Sequence, residues 1–246
     1  MKPCWTLRTA MLTLSALSLG ACGSLVPVGD GGAAQRAGTG SQSSGQSASR
    51  PGRVASGPQS IAPRPADEAC LTDLSKTGAR FTAIPDSYGG PGCSKLGTVQ
   101  LAALAGDVSQ FGVSNIGPVQ CHVASAFSNW ARFGVDRAAR QILGSPLARI
   151  ETMGSYACRN IAGSNRRSAH ASAEAIDVSG FVLEDGRRIT LTGDWRNGTA
   201  EEREFLRVVH RSACRRFGTV LGPDYNRAHE DHLHLEGTAT GRSFCR

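Results

Sequence analysis

A β-strand is predicted for the stretch Ala175-Ile176-Asp177-Val178-Ser179-Gly180-Phe181-Val182-Leu183, which is short, apolar and rich in β-branched and aromatic residues. The next four residues, Glu184-Asp185-Gly186-Arg187, are typical of a hairpin turn. The chain then returns through Arg188-Ile189-Thr190-Leu191. This hairpin predicts an antiparallel sheet.

Asp177 interrupts the apolar run of that strand. A buried carboxylate is costly unless a cation pairs with it, so a metal ion or a structural arginine is expected beside it. His170 lies seven positions earlier, among small residues. Taken alone, His170 is more often a surface or hydrogen-bonded histidine than a metal ligand.

A second histidine segment, His229-Glu230-Asp231-His232-Leu233-His234, changes that balance. Alternate residues of a strand share a face, so His232 and His234 are expected to point the same way. Four of the six histidines lie in these two segments. Catalytic zinc commonly keeps three His, Asp or Glu ligands and one open position. The two segments therefore predict a zinc site.

The remaining periodicity predicts an α+β fold. Helices are expected over 119–130, 135–143 and 200–216, and a strand over 149–156. The order suggests helices first, followed by an antiparallel sheet that carries both histidine segments and is packed with helices.

The N-terminal residues 1–21 predict an export signal, because the positive Lys2 and Arg8 precede a short apolar run. The signal ends in Leu19-Gly20-Ala21-Cys22, which resembles a bacterial lipobox with Cys22 as the lipid-bearing residue. An ordinary secretory signal cleaved near Ala21 is the alternative. Both readings place the protein outside the cytoplasm. Sorting rules for similar lipoproteins imply the outer membrane, facing the periplasm.

Residues 22–68 are rich in Gly, Ser, Ala, Gln and Pro, which predicts a flexible tether. The folded domain is expected over 69–246. Its basic residues are scattered without interleaved aromatic residues, so nucleic acid is not an expected partner. The net charge of +7 instead favours weak attraction to anionic cell-wall polymer or lipid headgroups.

Six cysteines remain after the signal and Cys22 are set aside, and an even number in an exported protein predicts disulfides. Fifteen pairings are open. The simplest joins neighbours in order: Cys70–Cys93, Cys121–Cys158 and Cys214–Cys245. Oxidised cysteines leave histidine and aspartate as the candidate metal ligands.

The pattern Ser168-x-His170-x6-Asp177 followed by His232-x-His234 resembles the zinc D-Ala-D-Ala carboxypeptidase and LD/DD-peptidase superfamily, the LAS metallopeptidases. The region from about Cys70 to Cys245 more closely resembles the bacterial extensin-like C-terminal domain family.

By position, the resemblance implies three zinc ligands, a substrate-orienting arginine and a serine that braces the first ligand. The zinc ligands would be His170, Asp177 and His234. The substrate-orienting arginine would be Arg159, and the serine would be Ser168. The alternative for Arg159 is a salt-bridged arginine at a sheet edge.

The resemblance leaves two candidates for the general base. Several relatives place Glu three residues before the last ligand, where this chain has Asp231. Asp231 faces away from the metal if 230–236 is a regular strand, so His232 has the better expected geometry. His229 or Glu230 would assist from the loop. The usual Gly of the first motif is replaced by Ala173.

These residues together predict a zinc-dependent LD- or DD-peptidase, exo or endo, acting on peptidoglycan stem peptides or cross-links. One alternative is a non-catalytic peptidoglycan-binding lipoprotein with a degenerate peptidase fold. A second alternative is a disulfide-stabilised structural lipoprotein without a metal.

Overall fold

A computed structural model describes residues 65–246 of the chain. The predicted signal peptide, Cys22 and residues 22–64 of the predicted tether lie outside the described residues. The first helix, α1, spans Pro65–Lys76, so the predicted tether ends in helix at residues 65–68. Over the described part of the chain, no helix has the length and apolar character needed to cross a bilayer.

Twelve strands follow in the described part of the chain. Before the second helix lie β1 (Arg80–Ala83), β2 (Ser87–Gly90), β3 (Cys93–Lys95), β4 (Thr98–Ala105), β5 (Gln110–Ser114) and β6 (Pro118–Gln120). After it lie β7 (Leu147–Gly154), β8 (Ala175–Leu183), β9 (Arg188–Thr190), β10 (Thr219–Leu221), β11 (Leu233–Glu236) and β12 (Phe244–Cys245). The expectation of helices before strands was therefore wrong, because half of the strands precede α2.

The main sheet has the order β1-β4-β5-β7-β8-β11-β10-β12, with β6 paired to β4 and β9 paired to β8. Most neighbours are antiparallel, but β5–β7 and β10–β12 are parallel. The sheet is therefore mixed and mostly antiparallel, not purely antiparallel as the hairpin suggested. Strands β2 and β3 form a separate two-stranded sheet. The predicted hairpin is present as β8 and β9.

The three predicted helical segments lie close to their expected positions, whereas α1 and α3 (Leu191–Asn197) were not predicted. Helix α2 covers Cys121–Trp130 and continues into π-helical turns at Ala131–Asp136 and Ala139–Leu143. Helix α3 covers Leu191–Asn197, and α4 covers Ala200–Ala213. Helix α4 begins where it does because Thr199 and Glu202 form a reciprocal capping box.

Aromatic side chains join α2 and α4 to the apolar face of the sheet. Trp130 is fully buried and lies 6.3 Å from Phe181 of β8, measured between ring centroids. Its indole N–H donates a 3.1 Å hydrogen bond to the carbonyl of Val209 on α4. Phe205 of α4 packs edge-on against Phe181. One face of β8 is thus covered by helices, which leaves the opposite face for polar residues.

Three disulfides join the six cysteines, but two of the expected pairs were wrong. The structure pairs Cys70 with Cys121 and Cys93 with Cys158. The third expected pair, Cys214–Cys245, is present. Pairing by nearest neighbour fails because Cys70 lies on α1, which packs against α2 and therefore meets Cys121 at the start of that helix.

Candidate metal centre

The pairing of β8 with β11 brings Asp177 and His234 together. The two residues are direct partners across the antiparallel ladder, so their side chains lie on the same face. Their neighbours Ile176, Val178 and Leu235 are fully buried in the core on the other face. The alternation that buries these apolar residues therefore presents the carboxylate and the imidazole side by side.

His170 reaches the same point from a 3₁₀ turn, Ala169–Ser172. Ser168 begins this turn, and its hydroxyl accepts a hydrogen bond from the backbone N–H of His170. Ala173 ends the turn in the left-handed region, with a φ of 58°. That conformation favours glycine, and Ala173 adopts it here at some cost in backbone strain.

Three ligand-type atoms converge at the centre of this face. The Nε2 atom of His170 lies 3.1 Å from Asp177 Oδ2, and the Nδ1 atom of His234 lies 2.9 Å from Asp177 Oδ1. The two imidazole nitrogens are 3.2 Å apart. All three side chains are largely buried, and their ligand atoms lie within 4.8 Å of one another.

The second ring nitrogen of His170 and of His234 forms a hydrogen bond to a group outside the cluster. His170 Nδ1–H donates to the carbonyl oxygen of Ser155 at 3.0 Å, and His234 Nε2–H donates to Glu236 at 3.1 Å. The Ser155 hydroxyl in turn donates toward the carbonyl oxygen of Ile116. Such outer partners fix the tautomer and orientation of metal-binding histidines. His170, Asp177 and His234 could hold a metal ion.

Electrostatics couple these groups strongly. Burial alone would raise the pKa of Asp177, but hydrogen bonds from His170 and His234 outweigh it and hold that pKa well below its usual range. Burial alone would lower the pKa of His234, but its bonds to Asp177 and Glu236 raise it to about 9. The hydrogen bond to His234 lowers the pKa of Glu236, and the nearby charge of Arg166 acts in the same direction.

His232 lies beside the side chains of His170, Asp177 and His234. It immediately precedes β11, and its Nε2 atom is 3.5 Å from Asp177 Oδ1. Its Nδ1–H donates a 2.7 Å hydrogen bond to Asp231. Asp231 has a half-exposed side chain and lies in the turn before the strand, so its carboxylate meets His232 and not the ligand atoms. Nε2 of His232 is left as the atom able to accept a proton near the centre.

His229 and Glu230 differ in their relation to the cluster. The His229 ring centroid lies 5.2 Å from that of His232 and 5.7 Å from that of His234. Burial and the neighbouring charges of His232 and His234 lower the pKa of His229 to about 4, and the charge of Arg159 adds to this effect. Glu230 lines a separate groove, so the expectation that it assists at the cluster is not supported by its position.

A cleft of about 590 Å³ opens onto the cluster. Arg159 and Arg166 line it, and both side chains are exposed. Three exposed apolar side chains, Ile161, Tyr225 and Phe244, also contribute to its wall. The cleft thus combines a charged side with an apolar side next to the histidines, as ligand-binding clefts commonly do.

Two other features of the described chain lie apart from this cleft. A second groove of about 700 Å³ runs along α3 and is lined in part by Trp195, Asp224 and Asp231, but by none of the three ligand residues. His210 lies close to Cys214 and Cys245. Those two sulfurs are already joined in a disulfide, so they are not available as thiolate ligands.

Reasoning from the sequence did not identify the outer partners. Glu236 carries a usable signal, because it lies two residues after His234 on the same strand and therefore shares its face. The carbonyl of Ser155 carries none, since any residue offers one. Arg166 also has no local signal, because its place in the cleft depends on how residues 159–168 fold back.

Comparison with known families gives one match, to a model described as the C-terminus of extensin-like proteins, over residues 68–246. No curated protein and no solved structure matches the chain significantly.

Proposed function

We propose that this chain, which belongs to the family of extensin-like protein C-termini, has a zinc-dependent peptidase active site in its cleft. The observation that carries the proposal is the convergence of one carboxylate and two imidazole nitrogens whose other ring nitrogens are bonded outward. Side chains that only hydrogen-bond to one another need not direct three ligand-type atoms at one position. A metal site does need that convergence.

His170, Asp177 and His234 would hold the ion. When bound, zinc supplies a Lewis acid that polarises an amide carbonyl and lowers the pKa of a water molecule to about 7. The protein keeps the ligand imidazoles in the required tautomers through Ser155 and Glu236.

His232 is the proposed general base. Its Nε2 atom faces the ligand cluster and accepts a proton from water, and the same atom later delivers the proton to the leaving amine. Asp231 holds the Nδ1–H of His232 at 2.7 Å and stabilises the imidazolium. Asp231 therefore acts as a positioning residue, which replaces its expected role as a base at the metal.

Arg159 is the proposed substrate-orienting residue. Its guanidinium lines the cleft, and its fork geometry suits a peptide carboxylate or carbonyl. The sheet-edge salt bridge considered as an alternative is not formed among the described residues, since no ion pair to Arg159 is present there. Ser168 supports the His170 turn and borders the same cleft.

Peptidoglycan stem peptides or their cross-links are the proposed substrates. The resemblance of the histidine motifs to LAS metallopeptidases supports this reaction class, by analogy. Three disulfides support an oxidising compartment outside the cytoplasm. A lipid anchor at Cys22 and a location at the outer membrane, facing the periplasm, complete the proposal.

A non-catalytic peptidoglycan-binding lipoprotein is the second candidate. The position of Asp231 favours it. Asp231 occupies the place of the acidic base of the LAS metallopeptidases, but its carboxylate does not reach the cluster of His170, Asp177 and His234. In this candidate the metal and Arg159 hold a peptide without cleaving it.

Metal content of the purified protein tests the proposal first. Wild type is compared with His170→Ala and with the matched control His122→Ala, whose side chain is exposed on α2 away from the cleft. We expect stoichiometric zinc in the wild type and the control but not in His170→Ala, with muropeptide cleavage followed by mass spectrometry. Zinc without cleavage would favour the binding protein, and no zinc in the wild type would refute both candidates.

A further inference from the structure

Residues 159–168 form a short hairpin, called here the arginine hairpin, that makes one wall of the cleft. Its two arms are joined by hydrogen bonds from Ser168 N to Arg159 O at 3.2 Å and from Ile161 N to Arg166 O at 2.9 Å. Asn160 and Arg167 form an antiparallel bridge between these rungs. The chain alternates across such a ladder, so Arg159, Ile161 and Arg166 share one side.

The other side of the arginine hairpin is anchored to the rest of the fold. The Arg167 guanidinium donates to the carbonyl oxygen of Pro91 at 2.7 and 3.0 Å and to Asn160 at 3.0 Å. A Cβ placed on Gly92 would come within 2.9 Å of Arg167, so the contact is close. The Cys93–Cys158 disulfide fixes the base of the hairpin beside this contact. The backbone that carries Arg159 and Arg166 is therefore held in place by these contacts.

Arg159 and Arg166 differ from most arginines of the described chain because neither guanidinium takes part in a hydrogen bond or ion pair there. The two acidic residues that line the cleft, Asp177 and Glu236, are already bonded to imidazoles. Two guanidinium groups without a hydrogen-bonded or ion-paired partner among the described residues thus line the cleft beside the apolar Ile161. A bound divalent ion would add to this positive potential.

We propose that Arg166 acts with Arg159 as a specificity-determining pair that selects peptides carrying two carboxylates close to the bond at the metal cluster. This inference rests on the proposed function and names its substrate class more narrowly. Each guanidinium would bind one carboxylate in a charge-assisted pair, and the side chain of Ile161 would contact the apolar atoms between them. Peptides with neutral amides in place of these carboxylates would be poor ligands.

Calorimetry on the zinc-loaded protein tests the pair. The probes are one purified muropeptide and the same muropeptide after its carboxyl groups have been amidated with carbodiimide and ammonia. The variants are Arg159→Gln, Arg166→Gln and the matched control Arg211→Gln, an exposed arginine of α4 outside the cleft. Cleavage of both probes is measured in parallel by mass spectrometry.

We expect amidation to weaken binding to the wild type by about 10-fold or more, which is the size of a lost hydrogen bond to a charged group. Arg166→Gln should lose a similar factor for the native probe and little for the amidated one, whereas Arg211→Gln should match the wild type. The proposed pair is refuted if the wild type binds both probes equally, or if Arg166→Gln binds the native probe as tightly as the wild type does. Binding that discriminates between the probes without any cleavage would refute the peptidase and keep the pair. Cleavage of both probes with equal affinity would keep the peptidase and refute the pair.

Discussion

Two aspartates of this protein are each surrounded by three basic side chains, yet the two clusters differ in kind. Asp107 accepts hydrogen bonds from Arg132, Arg137 and Arg140. Asp177 is surrounded in the same way by imidazoles, of which His170 and His234 lie within 3.1 Å. In both clusters these partners hold the aspartate pKa well below its usual range.

The difference lies in whether the partners can release a proton. Guanidinium groups stay protonated at any physiological pH, so the Asp107 cluster is a permanent ionic contact between the β4–β5 turn and the π-helical turns. Imidazoles can exchange a proton for a metal ion, and metal binding requires that exchange. A similar arrangement of charge therefore serves structure in one place and is available for chemistry in the other.

Replacing each aspartate by its amide gives the sharpest contrast. We expect Asp177→Asn to lose stoichiometric zinc and all muropeptide cleavage, because a neutral amide is a poor substitute for a carboxylate ligand. Asp107→Asn should retain both. Zinc content measured on the two purified variants checks this, and equal zinc in both would remove the distinction between the clusters.

Asp231→Asn tests the step that follows metal binding. We expect kcat for muropeptide cleavage to fall by about 100-fold, because His232 loses the partner that orients its ring and stabilises its charged form. Zinc content should not change, since Asp231 does not touch the ligand atoms. A variant with full kcat and an unaltered pH profile would show that His232 needs no such partner.

Glu236→Gln tests the outer support of His234. We expect zinc affinity to fall by about 10-fold, because the amide is a weaker acceptor for the Nε2–H group and lowers the basicity of the ring. Competition with a chelator of known affinity measures the change. Glu174→Gln, at a carboxylate outside the ligand cluster that accepts a hydrogen bond from Gln120, is the control expected to keep wild-type affinity.

The smallest effect concerns pH and the Asp107 cluster. Because its folded pKa is lowered, this carboxylate contributes stability that is fully present above the unfolded value of about 3.9 and is lost as pH falls below it. We expect a modest difference in Tm between wild type and Asp107→Asn at pH 7, and a smaller one at pH 3. Thermal unfolding followed by circular dichroism at pH 7 and pH 3 measures the two Tm differences. A Tm difference that is larger at pH 3 would contradict this prediction.

Local alternation was enough to predict part of the site. Residues 175–183 were predicted as a strand with the bounds that β8 has, and His232 and His234 point toward the same carboxylate. Pairing of distant segments was not predictable. The choice of Cys158 as partner of Cys93 depends on the arginine hairpin meeting the turn at Pro91, and no residue pattern announces that contact. Four of the strands before α2 were missed because strands of three or four residues leave little periodicity. Strand β4 was missed although its eight residues are long enough to carry a pattern.

The pairing of His234 with Asp177 across β8 and β11 also sets what kinds of mutation the gene can tolerate. Insertion or deletion of a single codon within either strand would turn every following side chain to the opposite face and exchange the imidazole for a leucine. Residues 184–230, which form most of the connection between these strands, carry no such requirement outside β9, β10 and the helices of that segment. Variation in length among members of this family is accordingly expected in the turns of that connection and not in β8 or β11.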